Sequence, residues 1–533
     1  MKRLLSSMIC AVLPTFAALA TVALAIPIPV AAQAHHHYQL IDVGTFGGPA
    51  AGLFDSQRQF TRNGTLASWA DTSVPDPYAP NCFNPDCVIQ HAFQWKDGVL
   101  SDLGALPGVN NSQAEATNEH GLIVGQSENG LIDPFLNVAA TDAVAWAHGK
   151  IQNLGTLGGY QGVAFDVNNA GRATGVATNN IPDPYSLLPF LNGTPGGTQS
   201  RAFLWEGGTM HDLGTLGGPD AFGQFINAHG QVAGFSYTSS TPGPFGVPPI
   251  DPFLWDKTTG MRDLGNFGGN FCNPYRLNDR GEFVGSMNLT GDQTAHPFLW
   301  NGEKMIDLGT LPGDFGQADW VNEKGDVVGV SFYADGEARA VLWPHEDLKI
   351  QDLGALPGDN CSIAWAMNEK GQIVGFSSAQ ETGTAGGSCF DGVSTITAIR
   401  AALWEDGRVV DLNDLIPPNT GVLLVIAKQI NGRGEIAVVG DPPDVALNND
   451  NNEAHGHDFV LIPCDENHPN IEGCDYSLVS ASATAATTVS APSAQDPSTG
   501  NTALPNWTRL LMMQSRRWPS TPWSRRLGAQ PPK

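Results

Sequence analysis

Short apolar runs alternate with glycine-rich turns along most of the chain, and the same arrangement recurs eight times between Tyr38 and Pro463. Each copy contains D-L-G-x-[LF]-[GP]-G, then [IVLM]-N-x-x-G, then a run similar to V-V-G, and then [AP]-F-L-W. The D-L-G segments begin at residues 42, 102, 153, 212, 263, 307, 352 and 411. Because the copies are tens of residues long, the pattern predicts a repeat fold in which each unit buries its apolar face against its neighbours.

Period-two alternation of apolar and polar positions predicts four short strands in each copy. The A-F-L-W segment forms the first strand, and the second strand ends at D-L-G. The third strand leads into N-x-x-G, a tetrad that favours a type I turn, and the V-V-G-like run is the fourth. Tryptophan fills one slot of the first strand in seven copies, where we expect it to pack between units. These residues are Trp95, Trp146, Trp205, Trp255, Trp300, Trp343 and Trp404.

The two ends of the repeat region distinguish a ring from a rod. The chain enters at residues 38–42 as a second strand without its first, and it leaves at residues 457–462 as a first strand without its second. If these two segments pair, the last hairpin is complete and no strand edge stays open. The sequence therefore predicts an all-β fold, a β-propeller of eight four-stranded blades closed by a blade shared between the two ends. Seven blades and an open β-solenoid are the alternatives.

The repeated segments also carry a family resemblance. His91-Ala92-Phe93-Gln94-Trp95, together with D-L-G-T-L-G-G and I-N-x-x-G, resembles the bacterial extracellular HAF-repeat family over residues 38–463. The resemblance implies a secreted, propeller-like repeat protein, and it brings no activity with it. The chain departs from the family pattern at Thr61, at Asn153, at Asp411-Leu412-Asn413 and in the last unit, which lacks tryptophan.

Composition and targeting signals narrow the location and the partners. Residues 1–34 have the pattern of a signal peptide, residues 35–476 are the repeat domain, and residues 477–533 are predicted to be a disordered linker with a basic tail. A net charge of -26 argues against nucleic acid as a partner. No segment after the signal is long and apolar enough to span a membrane. We expect a monomer that is secreted, either extracellular or periplasmic.

Cysteine spacing fits an oxidising compartment. Cys82 with Cys87, and Cys464 with Cys474, are predicted to form disulfides because each pair is close in sequence. Cys361 is within reach of Cys389 in the same unit. Cys272 is then left as a free cysteine.

One face of the predicted ring collects the loop insertions, and this face is the candidate binding face. The insertions cover roughly residues 71–90, 127–142, 178–200, 237–250 and 377–400. Three of them contain Asp-Pro followed by an aromatic residue, which suits stacking on a sugar or gripping a peptide. The structural alternative is a turn whose aromatic residue packs on its own blade. The predicted ligand-binding residues are Tyr78, Phe135, Tyr185, Asn110, Tyr160, Asp220, Asn270, Asp314 and Asp359.

The sequence contains no recognisable catalytic, phosphate-binding or dinucleotide motif. The eight D-L-G positions are best explained by carboxylates that accept backbone N–H groups at strand ends. We therefore predict a binding module for an extracellular glycan, a peptide or a cell-surface component, with no cofactor and no resident metal. Three alternatives stay open. One is a carbohydrate-active hydrolase or lyase that uses carboxylates on the same face, another is a structural envelope protein, and the third is a calcium site formed by the Asp and Asn oxygens.

Overall fold

The computed structural model describes residues 34–53, 58–79, 82–83, 87–188, 196–379, 399–442, 456–469, 471, 474, 478–480 and 484–485. Two short strands come first, β1 (Ala34–His36) and β2 (Tyr38–Asp42). The predicted signal up to residue 33, most of the predicted tail and Cys389 lie outside the described residues.

Seven successive groups of four antiparallel strands follow, and each group is called a blade here. Blades 1 and 2 contain β3 (Gly47–Gly52), β4 (Leu66–Pro75), β5 (Val88–Lys96) and β6 (Val99–Asp102), then β7 (Ser112–Thr117), β8 (Ile123–Asp133), β9 (Val138–Ala147) and β10 (Lys150–Gly155). Blades 3 and 4 contain β11 (Gly162–Val167), β12 (Ala173–Pro182), β13 (Thr198–Glu206) and β14 (Thr209–Asp212), then β15 (Ala221–Ile226), β16 (Val232–Tyr237), β17 (Ile250–Asp256) and β18 (Gly260–Asp263).

The next three blades follow the same order of strands. Blade 5 contains β19 (Gly268–Leu277), β20 (Phe283–Leu289), β21 (Ala295–Trp300) and β22 (Met305–Asp307). Blades 6 and 7 contain β23 (Gly316–Val321), β24 (Val327–Phe332), β25 (Ala338–Trp343) and β26 (Gln351–Asp352), then β27 (Cys361–Met367), β28 (Ile373–Ser378), β29 (Ile399–Glu405) and β30 (Arg408–Asp411). A single parallel pairing between β25 and β27 joins these two blades into one larger sheet.

The last group of four strands, labelled blade 8 here, combines both ends of the repeat region. After a 3₁₀ helix at Leu412–Asp414, the chain forms β31 (Leu423–Ile430), β32 (Ile436–Asp441) and β33 (His457–Pro463). Strand β2 then adds to the free edge of β33, with Leu40 opposite Leu461 and Ile41 opposite Val460. The predicted pairing of the two ends and the all-β propeller class are thus confirmed, while the count of eight blades stays a prediction.

Tryptophan packs as the sequence predicts. Five of the seven repeated tryptophans are buried, and Trp205 and Trp255 are half-buried. Two of them also link neighbouring blades, since Trp146 and Trp404 each donate the indole N–H to a backbone carbonyl of the preceding blade, at 3.3 Å. A buried aromatic side chain contributes at most roughly 4–6 kcal/mol, which makes this slot a main source of cohesion between blades.

The N-x-x-G asparagines connect the blades around the ring. The Oδ1 atom of Asn168 accepts the N–H groups of Ala170 and Arg172, which shapes the turn within its own blade. Its Nδ2 atom donates to the carbonyl of Asn227 in the next blade, at 2.9 Å. The same side-chain bond to the next blade is formed by Asn118, Asn168, Asn227, Asn278, Asn368 and Asn431. Each of these turns therefore ends a strand and also links two neighbouring blades.

Cysteine pairing matches the sequence prediction where the structure describes it. Cys82–Cys87 and Cys464–Cys474 are disulfides, and Cys272 is free and buried. Cys361 is disulfide-bonded.

Two short strands fall in the interval predicted as a linker. Strand β34 (Leu478–Ser480) pairs with β1, and β35 (Thr484–Ala485) pairs with β30. Within the described part of the chain, no helix has the length and apolar character needed to cross a membrane.

Candidate functional site

Three extended hairpins on blades 1 to 3 carry the predicted Asp-Pro-aromatic segments. Strands β4, β8 and β12 are 10, 11 and 10 residues long, whereas the corresponding strands of blades 4 and 6 have 6. At the end of each hairpin, an aspartate accepts the N–H of the aromatic residue two positions later, which forms an Asx turn. The three bonds run from Tyr78 to Asp76, from Phe135 to Asp133 and from Tyr185 to Asp183, at 2.8 to 2.9 Å.

The second oxygen of each aspartate faces the next blade. Asp76 accepts a hydrogen bond from the side-chain amide of Asn111 at 3.0 Å, and Asp133 accepts one from Gln161 at 3.1 Å. Asn111 and Gln161 immediately precede the innermost strands of blades 2 and 3. The buried aspartates therefore fasten each hairpin to the neighbouring blade, which holds the hairpin in a fixed position.

The hairpin of blade 3 lacks this bond from a side-chain amide of the next blade, because Asp220 occupies the position equivalent to Asn111 and Gln161. Asp220 is buried and accepts the backbone N–H groups of Leu187 and Ser200. The Oδ2 atom of Asp183 has no donor among the residues that the structure describes. Burial raises the pKa of Asp220 well above its ordinary value, and the nearby Asp183 carboxylate adds to the rise. Asp220, which the sequence analysis placed among the ligand-binding residues, is thus a buried part of the hairpin's attachment.

The three hairpins expose apolar side chains at equivalent positions, and we call these the hairpin tips. An aliphatic residue lies two positions before each aspartate, and Val74, Leu131 and Ile181 are 52%, 57% and 51% exposed. An aromatic residue lies two positions after it, where Tyr78 and Phe135 are 45% and 50% exposed and Tyr185 is partly buried. Apolar exposure of this kind, repeated at equivalent sites, is typical of interaction surfaces.

The other predicted site residues lie just before innermost strands or, for Asn270, near the start of β19, and they differ in their surroundings. Asn110 and Tyr160 are partly exposed beside the second hairpin, where the Tyr160 carbonyl accepts the N–H of Thr141 at 3.1 Å. Asn270, Asp314 and Asp359 belong to blades 5 to 7 and bond to side chains there. Their partners are Asp292 for Asn270, His296 for Asp314, and Arg400 with Ser377 for Asp359.

The D-L-G aspartates are structural, as the sequence predicts. Asp102 accepts the N–H of Gly104 at 2.7 Å, and the same bond recurs in the other copies. Asp102 also binds His91 of the neighbouring strand at 2.8 Å, and this hydrogen bond raises the pKa of His91. In blade 2 the donor and the acceptor exchange strands, because Asn153 donates to Asp142 at 2.6 Å. This exchange explains why Asn153 replaces the usual aspartate.

A cavity of about 270 Å³ lies at the centre of the ring, at the end formed by the N-x-x-G turns. Its lining comes from the innermost strands and turns of seven blades, and includes Arg58, Arg276, Trp320 and Glu323. The turn asparagines that line this cavity recur in the copies, but their convergence on one centre depends on closure of the ring and no ligand was predicted there.

The innermost strands share a repeated distortion near their N-x-x-G ends. In blades 2 to 8 a β-bulge inserts one extra residue three positions before the turn asparagine. The inserted residues are Glu115, Phe165, Gln224, Tyr275, Asp319, Trp365 and Lys428. Arg58 has the equivalent position before Thr61 in blade 1.

One group of residues has ligand atoms arranged as in a metal site. Asp326, His345 and Glu346 place ligand atoms within 4.8 Å of one another on the outside of blade 6. The Nδ1 atom of His345 is 2.7 Å from Asp326, so a histidine–carboxylate pair accounts for this cluster.

Comparison with known proteins gives weak structural similarities. No family model matches the chain, and no curated protein matches it. The β-propeller domain of the Trilobed protease from Pyrococcus furiosus is similar over 69% of this chain and 99% of that chain, with 9% identity and a TM-score of 0.39. Pyrococcus horikoshii acylaminoacyl peptidase is similar over 76% of this chain and 60% of that chain, with 11% identity and a TM-score of 0.38. TolB from Acinetobacter baumannii is similar over 64% and 79%, with 10% identity and a TM-score of 0.28. Similarities this weak carry no argument about activity.

Proposed function

We propose that this chain is a secreted binding module that holds an extracellular ligand through the hairpin tips of blades 1 to 3. The supporting observation is an exposed aliphatic side chain at all three tips, accompanied by an exposed aromatic one, Tyr78 and Phe135, at the first two. Exposed apolar area costs about 25 cal/mol per Å², so tips that bind nothing would lower solubility without a compensating gain. Disulfides at Cys82–Cys87 and Cys464–Cys474 fit a secreted location.

Rigid presentation supports the same proposal. Each aromatic residue follows a proline and an Asx turn, and the hairpins of blades 1 and 2 are also fastened to the next blade through Asp76 and Asp133. Binding to such a preorganised surface loses little conformational entropy. Asn110 and Tyr160 flank the second tip and supply polar contacts in this proposal.

The aliphatic residue beside each aromatic one favours a peptide over a glycan as the ligand. An aromatic ring alone stacks on a sugar, whereas Val74, Leu131 and Ile181 offer contacts only to apolar groups. Asn270, Asp314 and Asp359 lie on other blades and would shape the same face without forming the centre of the site.

Array screening tests this function. The purified chain is applied to a peptide array rich in apolar side chains and to a glycan array. It is compared with a tip variant carrying Val74→Ser, Leu131→Ser and Ile181→Ser. The matched control is Val99→Ser, since Val99 is 61% exposed but is the first residue of β6, away from the tips. We expect the tip variant to lose peptide binding and the control to keep it. Equal peptide binding by the tip variant would refute the proposal, and binding to glycans alone would assign the other ligand class.

The carbohydrate-active alternative needs two carboxyl groups that are free to act as acid and as nucleophile or base. Asp314 is paired with His296 at 3.0 Å, and Asp359 with Arg400 at 2.9 Å. These ion pairs favour the binding module. Incubation with polysaccharides and detection of new reducing ends would identify a hydrolase instead.

A further inference from the structure

The hairpin tips combine exposed apolar side chains with acidic surroundings. The segments that form them, residues 71–79, 127–142 and 178–188, contain six Asp or Glu residues and no Lys, Arg or His. Val74, Leu131 and Ile181 project from these segments and are each more than half exposed. A surface of this composition favours a partner that carries both apolar and basic side chains, because opposite charges align such a partner while apolar groups supply contact area.

Residues 506–533 of the same chain have the complementary composition, and we call them the basic segment. The basic segment contains five Arg, one Lys and no Asp or Glu, although the whole chain has a net charge of -26. It also contains three tryptophans, Trp507, Trp518 and Trp523, and each of them lies within two residues of an arginine in the sequence. The basic segment lies outside the described residues.

The chain length between the ring and the basic segment allows contact with any blade. The last described strand, β35, pairs with β30 of blade 7, and residues 486–505 connect it to the basic segment. Fully extended, a connection of this length spans roughly 70 Å. A compact domain as long as residues 35–476 has a radius of gyration of roughly 22 Å and therefore a diameter of roughly 60 Å. The connection is thus long enough to bring the basic segment to the tips of blades 1 to 3.

Attachment to the ring gives the basic segment an advantage over a free peptide. A flexible connection keeps the attached segment at an effective concentration of about 1 mM near the ring. Free peptides and second copies of the chain at micromolar concentration are far more dilute. The segment of the same chain is therefore the favoured occupant of the tips.

We propose that the basic segment docks on the hairpin tips of its own chain and competes there with the external ligand, an inference that rests on the proposed function of the tips. The tryptophans pack against Val74, Leu131 and Ile181, and the arginines lie beside the acidic segments. If the docked segment has a dissociation constant of about 0.1 mM, it occupies the tips about nine-tenths of the time and lowers the apparent affinity for an external peptide about tenfold.

Photocrosslinking of the full chain tests the docking. A cysteine at Leu131 is labelled with benzophenone maleimide, and the products of irradiation are identified by mass spectrometry after proteolysis. We expect crosslinks from position 131 to residues 506–533 within one molecule. The matched control is a labelled cysteine at Val99, which is 61% exposed in β6, and it should give no such product. The absence of the crosslink at position 131, or equal yields from both positions, would overturn the proposal. Crosslinks between two molecules alone would assign the segment of a second copy and would also overturn it.

A binding experiment separates failure of the docking from failure of the proposed function. The segment variant of the full chain carries Trp507→Ser, Trp518→Ser and Trp523→Ser, and a synthetic peptide of residues 506–533 is the probe. We expect this peptide to bind the segment variant about tenfold more tightly than the parent, because the tips are no longer occupied. Adding Val74→Ser, Leu131→Ser and Ile181→Ser should abolish that binding.

The peptides selected on the apolar array serve as the second probe. If they bind the parent and the segment variant equally while the synthetic segment does not bind, the docking is wrong and the proposed function stands. If neither probe binds at the tips, both proposals fail. A thermal melt of each variant verifies that the ring is folded.

Discussion

The Nδ2 atom of Asn431 donates a hydrogen bond to the backbone carbonyl of Thr61 at 3.1 Å, although the two residues are 370 positions apart. Asn431 ends the innermost strand of blade 8, and Thr61 occupies the asparagine position of blade 1. The bond therefore continues the chain of asparagine contacts from the last blade to the first. It joins the ends of the repeat region at the inner side, while β2 and β33 join them further out.

The asparagine contacts predict opposite effects at these two positions. Asn431→Ala removes a buried donor and leaves backbone groups of the turn without their acceptor, so it should lower the free energy of unfolding by about 1–3 kcal/mol. Thr61→Asn supplies the donor that blade 1 lacks, directed at the carbonyl of Asn118, and should raise that free energy by about 1 kcal/mol. Urea denaturation measures both. A neutral result for both variants would mean that these contacts do not hold the blades together.

Glu115 predicts a pH dependence of stability. Its side chain is 4% exposed and forms no hydrogen bond among the described residues, and burial raises its pKa to about 8. The folded state therefore keeps a proton that the unfolded state releases above about pH 4.5. The contribution of Glu115 to the free energy of unfolding therefore falls as the pH rises from there through about 8, and then levels off.

Glu115→Gln should remove this dependence. At pH 9 the variant should exceed the parent by up to roughly 5 kcal/mol, and at pH 4 by little. Denaturation curves at both pH values give the difference, with Glu303→Gln as an exposed control. A difference that does not change with pH would contradict a buried neutral Glu115.

Asp220 predicts a second, local pH effect at the hairpin of blade 3. The pKa of Asp220 is raised in the folded state, so its contribution to the free energy of unfolding is favourable while it is protonated. That contribution is lost as the pH rises above the ordinary pKa of an aspartate. Asp220→Asn recreates the amide that Asn111 and Gln161 supply in the other hairpins. The variant should lose less stability than the parent between pH 4 and pH 8.

Hydrogen exchange at the hairpin of residues 178–188 separates this effect from global stability. In the parent, these amides should exchange faster relative to the rest of the chain as the pH rises, after correction for the intrinsic rate. In Asp220→Asn the relative protection should stay constant. Equal behaviour of the two proteins would show that ionisation of Asp220 does not loosen this hairpin.

The sequence was informative wherever a feature repeats. The eight copies were enough to predict the order of strands, the buried tryptophans, the N-x-x-G turns and the pairing of residues 38–42 with 457–462. The D-L-G aspartates could be assigned a structural role for the same reason, since eight equivalent carboxylates do not form one site.

Features that join different copies were not predictable from the repeat. The bond from Asn111 to Asp76 links residues 35 positions apart in different blades, and no local pattern indicates it. Arg58 and Arg276 line one cavity only because the ring brings blades 1 and 5 to a common centre. Asp220 was predicted as a ligand-binding residue from its place in the loop before the innermost strand of blade 4. Its burial depends on the hairpin of the preceding blade, which the repeat pattern does not indicate.

Crosslinking between β2 and β33 is the most direct test of whether the propeller is closed. Gln39 lies opposite Ile462 in the pairing of β2 with β33, and both side chains are partly exposed. Cysteines at these two positions should be joined within one molecule by a short bismaleimide, and the crosslinked peptide is identified by mass spectrometry after proteolysis. A control chain with cysteines at Gln39 and Met210, which lies in blade 3, should give no such product. Closure of the propeller predicts the 39–462 crosslink as the main intramolecular product. Free, reactive cysteines at both positions without that crosslink would contradict the closed ring.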